Sequence, residues 1–206
     1  MSGIDTDIGK SYATGYIAKT WNEQGRRTIT QKFIQTGNTL ISEDIQRHRQ
    51  IAGSGLLPED MSGDTMPEIF TYPASPHLAA RLDGRPVDFA KIEAAGQRLA
   101  ERYDAVLVEG AGGLMVPLTD DMLTIDYVAE KDLPLILVTS GRLGSINHTL
   151  LSLEAIQSRG LRLEILAYNL YPETDDKIIR DDTRRYLCRY LSRRFPHTQI
   201  IDIPKI

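Results

Sequence analysis

Gly3-Ile4-Asp5-Thr6-Asp7-Ile8-Gly9-Lys10-Ser11 opens the chain. A glycine-bounded loop that ends in Gly-Lys-Ser is a signature of phosphate binding. Its backbone N–H groups curl round polyphosphate, the Lys10 ammonium offsets charge on the outer phosphates, and the Ser11 hydroxyl can reach a magnesium ion. The helix that follows turns its positive end toward the same anion. The strict spacing, G-x-x-x-x-G-K-[ST], asks for glycine at position 4, which is Ile4; the first glycine falls one residue early. Such loops hang from the end of a buried strand, yet only Met1 and Ser2 precede Gly3. The expectation is a fold whose first strand is missing.

Working outward, 206 residues predict a single domain over 1–206, long enough to bury a core. The hydrophobic fraction of 41% and charged fraction of 25% are ordinary for a globular protein. A formal charge of -4 argues against nucleic acid as the main partner. No apolar run approaches the ~20 residues of a membrane helix, so no membrane association is expected. The chain enters the loop at once, which predicts no signal peptide. The single Cys188 excludes an intramolecular disulfide and fits a reducing cytoplasm.

Helical and strand-like segments alternate along the chain. Lys10 to Gln24 reads as a helix stopped at Gly25, and Arg27 to Ile34 as a short strand. Glu43 to Ile51 reads as a polar helix, and Ala52 to Pro67 as loop, from its Gly, Ser, Asp and Pro content. Ser75-Pro76 predicts an N-cap and first helical residue for a helix to Leu82, and Asp88 a cap for one through Arg102. Ala105 to Val108 and Leu135 to Val138 are short apolar runs of the kind found in parallel strands covered on both faces. Helices are expected at Thr124 to Glu130, Ser145 to Ser158 and Asp175 to Phe195, with strands at Leu163 to Leu170 and Gln199 to Ile203. The alternation predicts an α/β fold, a mainly parallel sheet flanked by helices. Ligands of such sheets sit at the carboxyl ends of the strands.

Glu109-Gly110-Ala111-Gly112-Gly113 follows one apolar run. A carboxylate at a strand end suits magnesium, and the glycines let backbone approach a ligand closely; the plainer reading is an acid before a glycine turn. Lys32 ends a strand, with Thr36-Gly37 just beyond. It is either a solvated lysine or a cation for a transferring phosphoryl group. Asp44 opens a polar helix, where a negative charge also suits the helix dipole. Asp5 and Asp7 lie inside a loop meant for anions, so Asp5 is a candidate for magnesium or a substrate amine. Ser145-Ile146-Asn147-His148 opens a helix after Leu143-Gly144; its N–H groups can hold a carboxylate, or it is an ordinary helix start. His77 and His148 lack the spacing of a zinc site. The basic run from Arg184 to Arg194 reads as the solvated side of an amphipathic helix.

Together these motifs resemble the dethiobiotin synthetase family, of the P-loop NTPase type, from Gly3 to Pro204. Gly3 to Ser11 is similar to its G-T-D-T-x-V-G-K-T, including the early glycine. Lys32 with Thr36-Gly37 resembles K-P-x-x-[ST]-G, with Phe33 in place of proline. Tyr72 to His77 resembles P-x-[AS]-P-H, Val108 to Gly113 matches V-E-G-A-G-G, and Leu143 to His148 resembles L-G-x-I-N-H. Asn169 falls on the asparagine associated with the base.

The resemblance implies an enzyme that uses ATP and carbon dioxide to close diaminopelargonic acid into dethiobiotin, in biotin biosynthesis, with magnesium. It implies that Asp7, Ile8, Gly9, Lys10, Ser11, Tyr12, Asn169 and Pro204 hold the nucleotide. Ser11, Asp44 and Glu109 would bind magnesium. Thr6, Lys32 and Thr36 would face the substrate and its carbamate, with Lys10 and Lys32 as the catalytic cations. Gly144, Ser145, Ile146 and Asn147 of a partner subunit would receive the remote carboxylate, so the implied unit is a cytoplasmic homodimer with the site at the seam. The rival readings are another ATPase or ligase of the superfamily and a non-catalytic nucleotide-binding module. Partitioning ATPases carry an early lysine in the loop, and Ile4 to Ile8 contain none.

Overall fold

The computed structural model describes residues 1–170 and 176–205. The chain divides into two units: residues 1–13, 112–114 and 125–206 form the first, and residues 14–111 and 115–124 the second.

In the first unit, strand β1 (Ser2–Gly3) leads through the glycine-bounded loop into helix α1 (Lys10–Glu23), which continues into the second unit. The expectation of a missing first strand is corrected: Ser2 and Gly3 feed the loop as a strand, in register with Leu137 and Val138. The second unit then holds β2 (Thr28–Lys32), β3 (Gln35–Thr36), α2 (Glu43–Ala52), α3 (Pro58–Met61), β4 (Ile69–Phe70), α4 (Pro76–Leu82), α5 (Phe89–Ala100) and β5 (Ala105–Glu109). Back in the first unit follow α6 (Thr124–Glu130, whose first residue is counted with the second), β6 (Leu135–Ser140), α7 (Ser145–Ser158), β7 (Leu163–Asn169), α8 (Lys177–Arg194) and β8 (Gln199–Ile203).

All pairings between named strands are parallel, as the apolar runs predict. The first unit carries a sheet in the order β1-β6-β7-β8. Leu137, Val138, Leu166 and Ala167 are wholly buried in it, and α7 packs on β6 and α8, burying Leu153, Ile156 and Leu187. The second unit carries β2-β5 and β3-β4. Thr28 pairs with Ala105 and Lys32 with Glu109, so two sequence-distant strand ends finish side by side. Helix α5 covers β5 with the buried Ile92, Ala95 and Leu99, an i, i+3, i+7 stripe.

Strand β2 is Thr-Ile-Thr-Gln-Lys, yet all five residues are buried. Its polar groups are satisfied: Gln31 Nε2 donates to Asp64 O at 2.9 Å, and Arg49 Nη1 donates to Thr30 Oγ1 at 3.0 Å. Arg49 also forks onto Asp60 through Nε at 2.9 Å and Nη2 at 2.8 Å, clipping α2 to α3.

Differences from expectation are local. The segment expected to be loop holds α3, whose Leu57 N–H donates to Asp60 Oδ2 at 2.7 Å. Ser75 precedes α4 but makes no side-chain cap; its hydroxyl pairs with His77 Nδ1 at 3.0 Å. Helix α5 ends at Ala100, two residues early. Asp175, the expected start of the long helix, lies outside the described residues. The two-residue β3 and β4 were not predicted, being too short for any periodicity to mark.

Candidate functional site

The loop of the first unit is built by steric demand. A Cβ on Gly3 would stand 2.7 Å from Ile8 Cγ2 and 3.0 Å from Lys10 Cγ, so the early glycine is where the chain must close on itself. Asp7 and Gly9 both take left-handed backbone, at φ 54° and 80°. Lys10 Nζ lies against Asp5 O at 3.3 Å, and Ala13 N–H donates to Gly9 O as α1 begins. Asn169, at the end of β7, donates from Nδ2 to Ile8 O at 2.9 Å. Tyr12 Oη donates to Pro204 O at 3.0 Å. Asn169 and Pro204, expected among the residues that hold the nucleotide, are therefore gathered onto the loop and its helix.

Thr6 N–H donates to Asp5 Oδ1 at 2.8 Å. Asp5 Oδ2 accepts from Arg142, and His148 Nδ1 stands 3.6 Å from the same oxygen. The Thr6 N–H bond, with Arg142 behind it, holds the Asp5 carboxyl below its ordinary value despite partial burial. Asp5 is thus paired with Arg142 of its own unit. Arg142 was missed by sequence reading, because an arginine after a strand end has no spacing signature. Beyond it, Gly144 at φ 94° turns the chain into α7. Ser145 is buried, its hydroxyl within 3.1 Å of Ser140 Oγ; Ile146 is half-buried, while Gly144 and Asn147 are exposed.

The second unit brings Lys32, Asp44 and Glu109 together. Lys32 and Glu109 come from paired strand ends, and Asp44 from the first turn of α2. Lys32 Nζ lies 2.9 Å from Glu109 Oε1, 2.5 Å from Asp44 Oδ2 and 3.2 Å from Gly110 O. Burial alone would lower the Lys32 pKa; the Glu109 and Asp44 charges outweigh it and hold it above its ordinary value. Burial alone would likewise raise Glu109, but the Lys32 charge and the His48 hydrogen bond hold it well below the usual carboxylate range. Two carboxylates thus converge on one buried cation, and such an oxygen-donor set fits magnesium.

Two further residues, Phe33 and His48, meet Glu109, and only Phe33 was marked in the sequence. Phe33, in place of proline, donates its N–H to Glu109 O at 2.9 Å, a bond proline has no hydrogen to make. His48 Nε2 lies 2.8 Å from Glu109 Oε2. Thr36 sits half-buried in β3 beside Gln35, whose Oε1 accepts from Ser42 Oγ at 2.5 Å. Ser42 in turn caps α2, accepting from Ile45 N–H at 3.1 Å.

A family model described as AAA domain matches residues 1–198. The chain is 52% identical over 201 residues to the ATP-dependent dethiobiotin synthetase of Haemophilus ducreyi, covering 98% of this chain and 95% of that protein. It is 48% identical over 204 residues to the ATP-dependent dethiobiotin synthetase of Chlorobaculum tepidum, covering 98% and 85%. Among solved structures, a ParA protein, pnob8 ParA, superposes with a TM-score of 0.57 at 14% identity, covering all of this chain and 74% of the other. That likeness supports the fold alone. Identity near one half along almost the full length of both chains goes further, and the chain belongs to the family of ATP-dependent dethiobiotin synthetases.

Proposed function

We propose that this chain catalyses the ATP-dependent carboxylation and ring closure of diaminopelargonic acid to dethiobiotin. The observation that carries the reading, beside family membership, is the buried Lys32 held between Asp44 and Glu109 at the ends of paired strands. A lysine so placed costs several kcal/mol of desolvation, and a solvated strand-end lysine would not be found there. It is read as a cation kept in place for a transferring phosphoryl group.

Roles divide between the units. In the first, the amides of Asp7 to Tyr12 and the Lys10 ammonium hold the triphosphate, with Asn169 and Pro204 toward the base. In the second, Lys32 and Thr36 face the carbamate. In the first unit Thr6 would face substrate; in the second Asp44 and Glu109 would hold magnesium, which when bound offsets charge on the phosphoryl group.

The chemistry needs no covalent enzyme intermediate. One substrate amine adds to carbon dioxide and loses a proton, giving a carbamate. A carbamate oxygen attacks the γ-phosphorus and ADP leaves, giving a carbamic-phosphoric anhydride. The second amine attacks the carbamoyl carbon, closes the ring and expels phosphate. Lys10 and Lys32 offset charge in the second step, and the enclosing residues hold the reacting groups close.

A homodimer suits the surface of the first unit. Leu143, in the turn that enters α7, is 83% exposed, and on α7 itself the exposed Asn147 and Leu151, the latter 63% exposed, form a stripe at i, i+4 spacing. A second copy covering this stripe would bring Asn147 to its partner's substrate carboxylate. No described helix is long and apolar enough to cross a membrane, and we assign the chain to the cytoplasm, where ATP is supplied.

The test is phosphate release from ATP. Release is expected only when diaminopelargonic acid and bicarbonate are both present, because the nucleophile is the carbamate rather than water. Release that ignores the diamine would rule the ligase reading out.

A further inference from the structure

We propose that His48 is a positioning residue that fixes the Glu109 carboxylate for cation binding. The inference rests on the reading of Glu109 as a magnesium ligand.

His48 follows Asp44 by one helical turn, so α2 sets both on one stripe. Asp44 reaches Lys32 and His48 reaches Glu109. The imidazole is almost wholly buried, as is the carboxylate it meets. Its other nitrogen, Nδ1, has no hydrogen-bond partner among the described residues. A buried N–H without an acceptor is more costly than an unused lone pair on a ring nitrogen. The proton therefore belongs on Nε2, and the bond runs from Nε2–H to Glu109 Oε2. That bond stops rotation of the carboxylate about its last torsion and keeps Oε1 directed at Lys32. Carboxylate oxygens carry more than one lone pair each, so neither bond uses up the oxygen that it meets. A ligand oriented by a hydrogen bond from its far side is a recurrent device in metal sites.

The packing beneath His48 is shaped for this approach. A Cβ on Gly15 of α1 would lie 3.2 Å from His48 Cα and 3.0 Å from Ile51 Cδ1. Glycine at 15 lets the backbone of α2 come close enough for the ring to span to β5. Sequence reading expected a polar α2; Ile45, His48 and Arg49 are in fact its buried face.

The experiment compares His48→Gln, which keeps a donor at the position of Nε2, with His48→Met and His48→Leu, which have none. Mn2+ affinity of the full chain with ADP is read by the EPR signal of unbound Mn2+, alongside urea denaturation. Glu109→Gln is measured in parallel. The donorless variants should weaken Mn2+ binding about 10–100-fold, and His48→Gln should stay within about threefold of the parent. Equal weakening in Gln, Met and Leu variants, or none in any, overturns the proposal. If Glu109→Gln weakens binding and His48→Met and His48→Leu do not, His48 alone loses its role. If Glu109→Gln leaves Mn2+ affinity unchanged, the metal reading of Glu109 and this inference fall together.

Discussion

Lys32 shows how strongly a single residue depends on its neighbours. Its side chain is 6% exposed, between the Asp44 and Glu109 side chains at 25% and 1%. Lys32→Met would strand two acids, and stability should fall by about 3–5 kcal/mol. Adding Glu109→Gln to Lys32→Met should recover part of that loss, since the two residues share one interaction. Urea denaturation of the single and double variants measures both. The pH dependence has a definite sign. Glu109 titrates below its unfolded value, so its contribution is complete above about pH 5 and is lost as pH falls through the folded value. Lys32 titrates above its unfolded value, so its contribution is complete below about pH 10 and is lost as pH rises through the folded value. The plateau should lie between, and the acid limb should flatten in Lys32→Met with Glu109→Gln. Lys32 and Glu109 were legible as strand-end residues, because an apolar run marks where a strand stops. Their pairing was not, since 77 residues separate them.

At the scale of an element, α2 carries most of what sequence reading left open. Its start at Glu43 was predicted, and Ser42 indeed caps it. Its buried side was not visible, because that side presents His48 and Arg49 beside Ile45, and polar residues that find buried partners leave no hydrophobic stripe. The helix is fixed at both ends: by Ser42, bonded to Gln35, and by Arg49, forked onto Asp60. Ser42→Ala removes the cap and leaves buried Gln35 short of a donor. A loss of about 1–2 kcal/mol is expected in urea denaturation. By contrast α7 and β8 were predicted with their observed bounds. Glycine before the one, and β-branched residues in the other, are local signals that no distant partner overrides.

At the scale of the whole molecule, the proposed homodimer makes a prediction that no monomer can satisfy. Lys10→Ala should abolish turnover, and Asn147→Ala should chiefly raise the KM for diamine. When the two variants are mixed, each heterodimer has one site with both lesions and one with neither. Random exchange of equal amounts should therefore restore about a quarter of parental activity at low diamine. Activity that stays at the level of the separate variants, once subunit exchange is demonstrated, would exclude a shared site. The α/β class and parallel pairing were legible from alternation of segments. The division of strands among separate sheets was not, because hydropathy marks that a strand is buried but not which strand lies beside it.

The parallel pairing of β2 with β5 also bears on how the chain is made. Lys32 leaves the ribosome 77 residues before Glu109. At ordinary elongation rates, β2 waits about 4–15 s for the strand that completes it. A waiting strand of valine and isoleucine would be a target for aggregation. This one reads Thr-Ile-Thr-Gln-Lys, and its side chains stay hydrated until Arg49, Asp64 and Glu109 have been synthesised. Lys32, proposed to serve phosphoryl transfer, is thus also one of the polar residues that keep the nascent strand soluble while it waits.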